Sequence, residues 1–180
     1  MRSALLGKRI LVTQATEFMG PAICEVFAEQ GAAVVADTLD LAVGDNASAA
    51  VKSAGDIDVL VANLSALAPS TPATEVGDSE WRNIFAALVD PLPRLVAATV
   101  PIFEKRGGGK ILLIGSASAL HFPPEVQANP RFQERLAREV PLGRLVAARE
   151  DALFAAYLCS DAADCFVGQA FPVCGGWATK

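Results

Sequence analysis

The chain has 180 residues, 52% of them apolar, and carries 15 Lys and Arg against 20 Asp and Glu for a net charge of −5. That is the length of one domain, residues 1–180, with ample material for a core. The mild negative charge is spread without basic clusters, which excludes nucleic acid and an anionic membrane surface as partners.

Apolar segments such as RLVAATVPIF are too short, or too broken by proline and charge, to read as membrane spans. The N-terminal MRSALLGKR lacks the long apolar stretch of a signal peptide, so the expected location is the cytoplasm.

Short apolar runs then alternate with amphipathic stretches, the pattern of a parallel sheet covered by helices. KRILVTQ (8–14) predicts a first strand and MGPAICEVFAEQG (19–31) a helix. In that helix Met19, Ile23, Val26 and Phe27 share a face, Pro21 sits in the first turn and Gly31 ends it. AAVVAD (32–37) is a second strand ending at Asp37, GDNASAAVKSAG (44–55) a short helix, and DIDVLVANL (56–64) a strand apolar enough to be buried on both faces.

After the Pro/Ser/Thr-rich loop SALAPSTPATEV, residues 77–109 predict a long helical region capped at Asp78 or Ser79 and interrupted at Pro91 and Pro93. KILLIGSAS (110–118) reads as the next buried strand. A Pro-rich loop starts at His121, followed by a charged helix over RFQERLAREV, a turn at PLGRL, a helix over REDALFAAYLCSDAA and a last short strand in GQAFPVCGGW.

In open parallel sheets ligands sit at the carboxyl ends of the strands, which places Thr13, Asn63 and Ser116 along one crevice. Cys24, Cys159, Cys165 and Cys174 match no zinc spacing and have one histidine, His121, to help them; they are expected to be reduced core residues, with no metal site. His121 is assigned no role.

Taken together, GKRILVT, DVLVAN, GKILLIGSAS, PLGRL and YLCSDAADCFVGQAFPVCGGW, in that order, resemble the short-chain dehydrogenase/reductase superfamily over nearly the whole chain. The resemblance implies a Rossmann-like, doubly wound α/β fold. Members that use NAD(P) carry T-G-x-x-x-G-x-G in the first turn, where glycines let the backbone approach a pyrophosphate. Here Thr13 to Gly20 reads TQATEFMG, so Gln14 and Phe18 replace two glycines.

The pattern T-x-x-x-x-F-x-G is similar to the halohydrin dehalogenases, a branch that uses no cofactor and holds a halide where the nicotinamide would lie. Leu88, where reductases place an asparagine, and Ala62-Asn63-Leu64-Ser65, in place of N-N-A-G, point the same way.

That resemblance implies conversion of vicinal haloalcohols to epoxides with halide release, and epoxide opening by small anions in reverse. Ser116 matches the serine that holds the substrate oxygen; Phe18, Phe122 in HFPPE, Asn63, Leu88 and Trp177 are the candidates for the substrate and halide pocket. Thr13 is expected to support the turn and Ser118 to be structural. Asn63 could hydrogen-bond substrate, but the preferred reading is that it holds adjacent strand ends together. Asp37 lies where NAD-using relatives bind the adenosine ribose.

A homotetramer is the family's usual assembly. The Y-x-x-x-R pair that should follow the serine is missing: thirteen residues after Ser116 stands Asn129, and four beyond that Gln133. Tyr157, the one tyrosine, is expected to pack in the core or an interface. A contiguous block, a helix, the next parallel strand and the start of a loop, of roughly 30 or more residues is missing at this point. The alternatives are an NAD(P)-dependent oxidoreductase with an eccentric glycine loop and an inactive scaffold homologue.

Overall fold

A computed structural model describes residues 3–66, 71–115 and 128–179. Its centre is a four-stranded, all-parallel sheet of β1 (Arg9–Val12), β2 (Ala33–Ala36), β3 (Val59–Asn63) and β4 (Lys110–Ile114), in the order β2-β1-β3-β4. The chain thus winds outward from β1 in both directions, and the direction switches between β1 and β3. Helices fill the crossovers: α1 (Gly20–Glu29), α2 (Asn46–Ala54), α3 (Asp78–Leu88) and α4 (Pro91–Arg106) precede β4, and α5 (Pro130–Glu139) and α6 (Ala148–Cys159) follow it.

Strand periodicity divides the apolar residues between two layers. Ile10, Val12, Val59 and Val61 face α1 and α6, packing with Ile23, Val26, Phe27, Ala152 and Ala155. Leu11, Leu60 and Ala62 point the other way, into Leu41, Val51, Leu95 and Phe103 from α2, α4 and the loop before α2. Every residue of β3 is buried, because β3 has a strand on each side and helices on both faces. Met19, Ile23, Val26 and Phe27 form the buried face expected of α1, and Gly31 takes φ +90° just past its end.

The long helical region is divided as its prolines require. Val89 and Asp90 separate α3 from α4, and Pro91 opens α4, where its missing N–H costs nothing. The cap differs from expectation: Gly77 precedes the helix, and Asp78 lies in its first turn. Taken together, Asp78–Arg106 is long and apolar enough, by length and composition only, to cross a membrane. That departs from the sequence reading. In the fold α4 lays Leu95, Thr99 and Phe103 inward, while Trp81, Phe85 and Val89 stand outward.

Two expectations fail on the far side of the sheet. β4 is not a buried strand: Ile111 is 39% and Leu113 52% exposed, while Leu112 and Ile114 pack against the α1/α6 layer. GQAFPVCGGW forms no strand; residues 168–173 have no ladder, and a short 3₁₀ turn over Trp177–Thr179 follows.

The physical reason is common to both. A strand acquires its burial and its hydrogen bonds from a neighbour and a covering helix, and among the described residues β4 has no second neighbour. Between β4 and the segment 166–173 lies a cavity of about 1130 Å³, lined by residues 108–115, the inner face of α6 and Phe166 to Val173. Of the cysteines, all free, Cys159 is buried, Cys24 and Cys174 half-buried and Cys165 exposed, so the core reading holds fully for Cys159 alone.

Candidate functional site

The switch point between β1 and β3 is where an open α/β sheet builds its crevice, and the two strand ends are locked there. Thr13 is fully buried; its Oγ1 donates to the Asn63 carbonyl at 3.0 Å and accepts the Asn63 N–H at 3.0 Å. Thr13 therefore supports the turn, as expected. The Asn63 amide nitrogen donates to the carbonyls of Gln14 and Glu17, both at 3.0 Å. The side chain named as a pocket candidate thus holds the first turn against β3. Its buried Oδ1 has no hydrogen-bond partner among the described residues.

The turn itself, Thr13 to Gly20, is filled by protein. Gln14 and Phe18 stand in left-handed backbone, φ +45° and +46°, the conformation that glycine adopts without strain and a side chain only at a cost. The Gln14 side chain reaches across to accept the Ser65 N–H at 2.5 Å, tying the turn to the loop after β3. Phe18 packs against the cluster that contains Ala15, Met19 and Ile23.

Gly20 is the glycine that cannot be replaced, since a Cβ there would lie 2.6 Å from backbone atoms of Gln14 and Ala15. The backbone shape of a phosphate loop survives, but Gln14 and Phe18 bring side chains where a dinucleotide needs bare backbone. These residues do not fit NAD(P) at the loop.

Asp37 closes the end of β2, where its carbonyl accepts the Ala15 N–H at 2.7 Å. Burial pushes its carboxyl above the ordinary value, opposed by a backbone hydrogen bond from Leu39, and Oδ2 is buried without a partner among the described residues.

The other candidates lie on separate elements. Leu88 ends α3 and is 38% exposed; Trp177 is half-buried in the C-terminal turn, with its backbone N–H donating to the Cys174 carbonyl at 3.2 Å. Ser116, Ser118, His121 and Phe122 lie outside the described residues, although Ile114, paired with Asn63, carries the chain to within two residues of Ser116.

Tyr157 stacks on Phe154 at 6.3 Å and meets Phe166 edge-on at 6.3 Å, in a cluster completed by Phe171. It packs there as expected. Sequence reasoning missed the role of the Gln14 side chain; the signal was a hydrogen-bonding residue at a glycine position with Ser65 in the facing loop. No group of three or more His, Cys, Asp or Glu able to hold a metal occurs among the described residues.

The chain is 27% identical to dehydrogenase/reductase SDR family member 4 from mouse (Mus musculus), over 68% of this chain and 54% of that protein. With the cattle (Bos taurus) protein of the same name it shares 30% identity over 66% and 52%. It spans about half the length of the curated relatives it matches. The mouse alignment runs over 151 residues yet occupies 68% of a 180-residue chain, about 122 residues, so about 29 positions of the relative stand opposite gaps.

Among solved structures, one described as a dehalogenation enzyme superposes with a TM-score of 0.86 at 23% identity, covering 97% of this chain and 99% of that one. Gluconate 5-dehydrogenase from Burkholderia cenocepacia, in complex with NADP and tartrate, gives 0.86 at 22% identity, covering 99% and 98%. These structures share the fold. The short chain dehydrogenase family model matches residues 38–128, just over half of the chain, and the chain belongs to that family.

Proposed function

We propose that this chain is a halohydrin dehalogenase-type member of the short-chain dehydrogenase family, working on a small haloalcohol or epoxide and a small anion without a nicotinamide. The observation that carries the reading is the first turn: Gln14 and Phe18 occupy left-handed positions that glycine would hold in a dinucleotide loop, and Gln14 is hydrogen-bonded to Ser65 across it.

In the reaction a base removes the hydroxyl proton of the haloalcohol. The alkoxide oxygen then bonds to the neighbouring carbon as the carbon–halogen bond breaks, and halide leaves with the bond's electron pair. Oriented backbone dipoles and apolar walls suit such an anion. Ser116 is the residue proposed to hold the substrate oxygen, and Phe18, Phe122, Asn63, Leu88 and Trp177 are the proposed pocket residues.

A second reading, an inactive scaffold homologue, is favoured by Tyr157. It is the chain's one tyrosine, and it is engaged with Phe154 and Phe166.

Titration with NADH and halide release from 1-bromo-2-propanol separate the readings. The dehalogenase reading expects bromide release and no saturable NADH fluorescence change. Tight NADH binding overturns it in favour of an oxidoreductase; absence of both favours the scaffold. Gln14→Gly with Phe18→Gly should clear the loop, and NADH binding gained by that pair would identify these two side chains as the obstruction.

A further inference from the structure

Where β1 and β3 end, most of the polar groups spend their hydrogen bonds on one another. Thr13 Oγ1 both donates to and accepts from the Asn63 backbone, and the Asn63 amide nitrogen donates to the Gln14 and Glu17 carbonyls. The Ser65 N–H donates to Gln14 Oε1. A backbone N–H can only donate, so this last bond fixes which end of the Gln14 carboxamide is oxygen.

The other end, Nε2, carries two donors and bonds to none of the described residues. Unlike Asn63 Oδ1, it is not a buried atom without a partner, so solvent reaches it. The side chain that carries it is held in place: the backbone stands at φ +45°, the Gln14 carbonyl accepts from Asn63 at 3.0 Å, and Oε1 is tied to the loop after β3. A donor fixed in this way loses little further freedom on binding. Left-handed backbone is costly for glutamine, and such outliers cluster at ligand sites.

We propose that the Gln14 carboxamide nitrogen is a hydrogen-bond donor to the small anion of the reaction, halide leaving or azide entering. This rests on the dehalogenase reading. Gln14 follows β1, and Ser116, proposed to hold the substrate oxygen, follows β4 on the other side of β3. Oxygen and anion are thus held from opposite flanks of Asn63.

The turn TQATEFMG contains no Lys or Arg, and the carboxylates near it, Glu17 and Asp37, repel an anion. A neutral donor carries the task. A hydrogen bond to a full halide is roughly twice as strong as one to a carbon-bound halogen, so the interaction grows as the carbon–halogen bond breaks.

The test compares the whole wild-type chain with Gln14→Glu and Gln14→Leu. Glutamate keeps an oxygen for the Ser65 N–H and sets a charged oxygen where Nε2 stood; leucine removes both groups. Sodium bromide is titrated while the bromide NMR linewidth is followed, a readout that needs no turnover. Both variants should need roughly tenfold or more bromide than the wild type, with glutamate the weaker binder, because each loses a charge-assisted hydrogen bond and one adds repulsion. The Ser65 amide should keep its slow hydrogen exchange in Gln14→Glu, so that bromide affinity falls with the strut intact. In epoxide opening by azide, the KM for azide should rise by a similar factor while the KM for the epoxide stays unchanged.

Bromide affinity unchanged in Gln14→Leu overturns the proposal; if the wild type still releases bromide from 1-bromo-2-propanol, the dehalogenase reading stands without it. Bromide affinity without release, lost in both variants, supports the role of Gln14 and counts against that reading. A wild type with no bromide affinity overturns the proposal, and with no release as well it overturns the reading too.

Discussion

Leu60 and Ile111 face each other across one rung of the β3–β4 ladder, yet Leu60 is fully buried and Ile111 is 39% exposed. Both belong to apolar five-residue strands. What separates them is the company each strand keeps: β3 lies between two strands and two helical layers, whereas among the described residues β4 has one strand neighbour and its Ile111 face is partly exposed. Burial in a parallel sheet is a property of the neighbourhood rather than of the strand's composition.

The sharpest way to break the contrast uses two glycines. Gly20→Ala drives a Cβ to 2.6 Å from three backbone atoms that cannot step aside, and should cost about 3 kcal/mol or more in urea unfolding. Gly115→Ala, just beyond β4, meets nothing within 4 Å and should change stability by about 0.5 kcal/mol or less. Next come the rung partners. Leu60→Ala should cost about 2–5 kcal/mol and Ile111→Ala about 1 kcal/mol, read from the same denaturation curves; equal losses would show that the Ile111 face is covered in solution.

Thiol chemistry sharpens the comparison between core and rim. Burial pushes the Cys159 thiol up to about 12, so under native conditions iodoacetamide should label exposed Cys165 first and Cys159 last, by mass spectrometry of digests.

The smallest effect is in pH. Glu150 is hydrogen-bonded by Arg144 at 2.7 and 2.8 Å and by the Ala147 N–H at 2.8 Å, which holds its carboxyl at about 2 against an ordinary 4.5. Its contribution is present above pH 4.5 and lost as pH falls toward 2. Asp37 acts in the opposite sense: its carboxyl is raised from 3.8, so its contribution is most favourable below 3.8 and declines as pH rises through the raised value. Glu150→Gln should flatten the acid limb of the thermal midpoint, and Asp37→Asn should raise the midpoint slightly at neutral pH.

The four strands and the division at Val89 were legible because apolar runs and a proline act locally. The Thr13–Asn63 junction was legible too, since strand ends at a switch point must meet. The C-terminal strand was not: FPV has the composition of a strand, but pairing depends on a partner that sequence periodicity cannot supply. Gln14 was legible as a missing glycine and not as a hydrogen-bonding strut, because its partner, Ser65, lies 51 residues away.

The ladder registers also set an order of assembly. Arg9 pairs with Ala33, 24 residues on; Ile10 pairs with Val59, 49 residues on; Val59 pairs with Lys110, 51 residues on. Closing the first of these loops costs about 0.6 kcal/mol less than either of the others, one doubling of length, and during synthesis its residues emerge first. The β1–α1–β2 unit, with the rebuilt turn inside it, is therefore the natural nucleus. β4 docks late onto a platform already made, and long-range parallel pairing of this kind is slow. The strand that has a single neighbour among the described residues is thus also the last of the four to be synthesised and to find its partner.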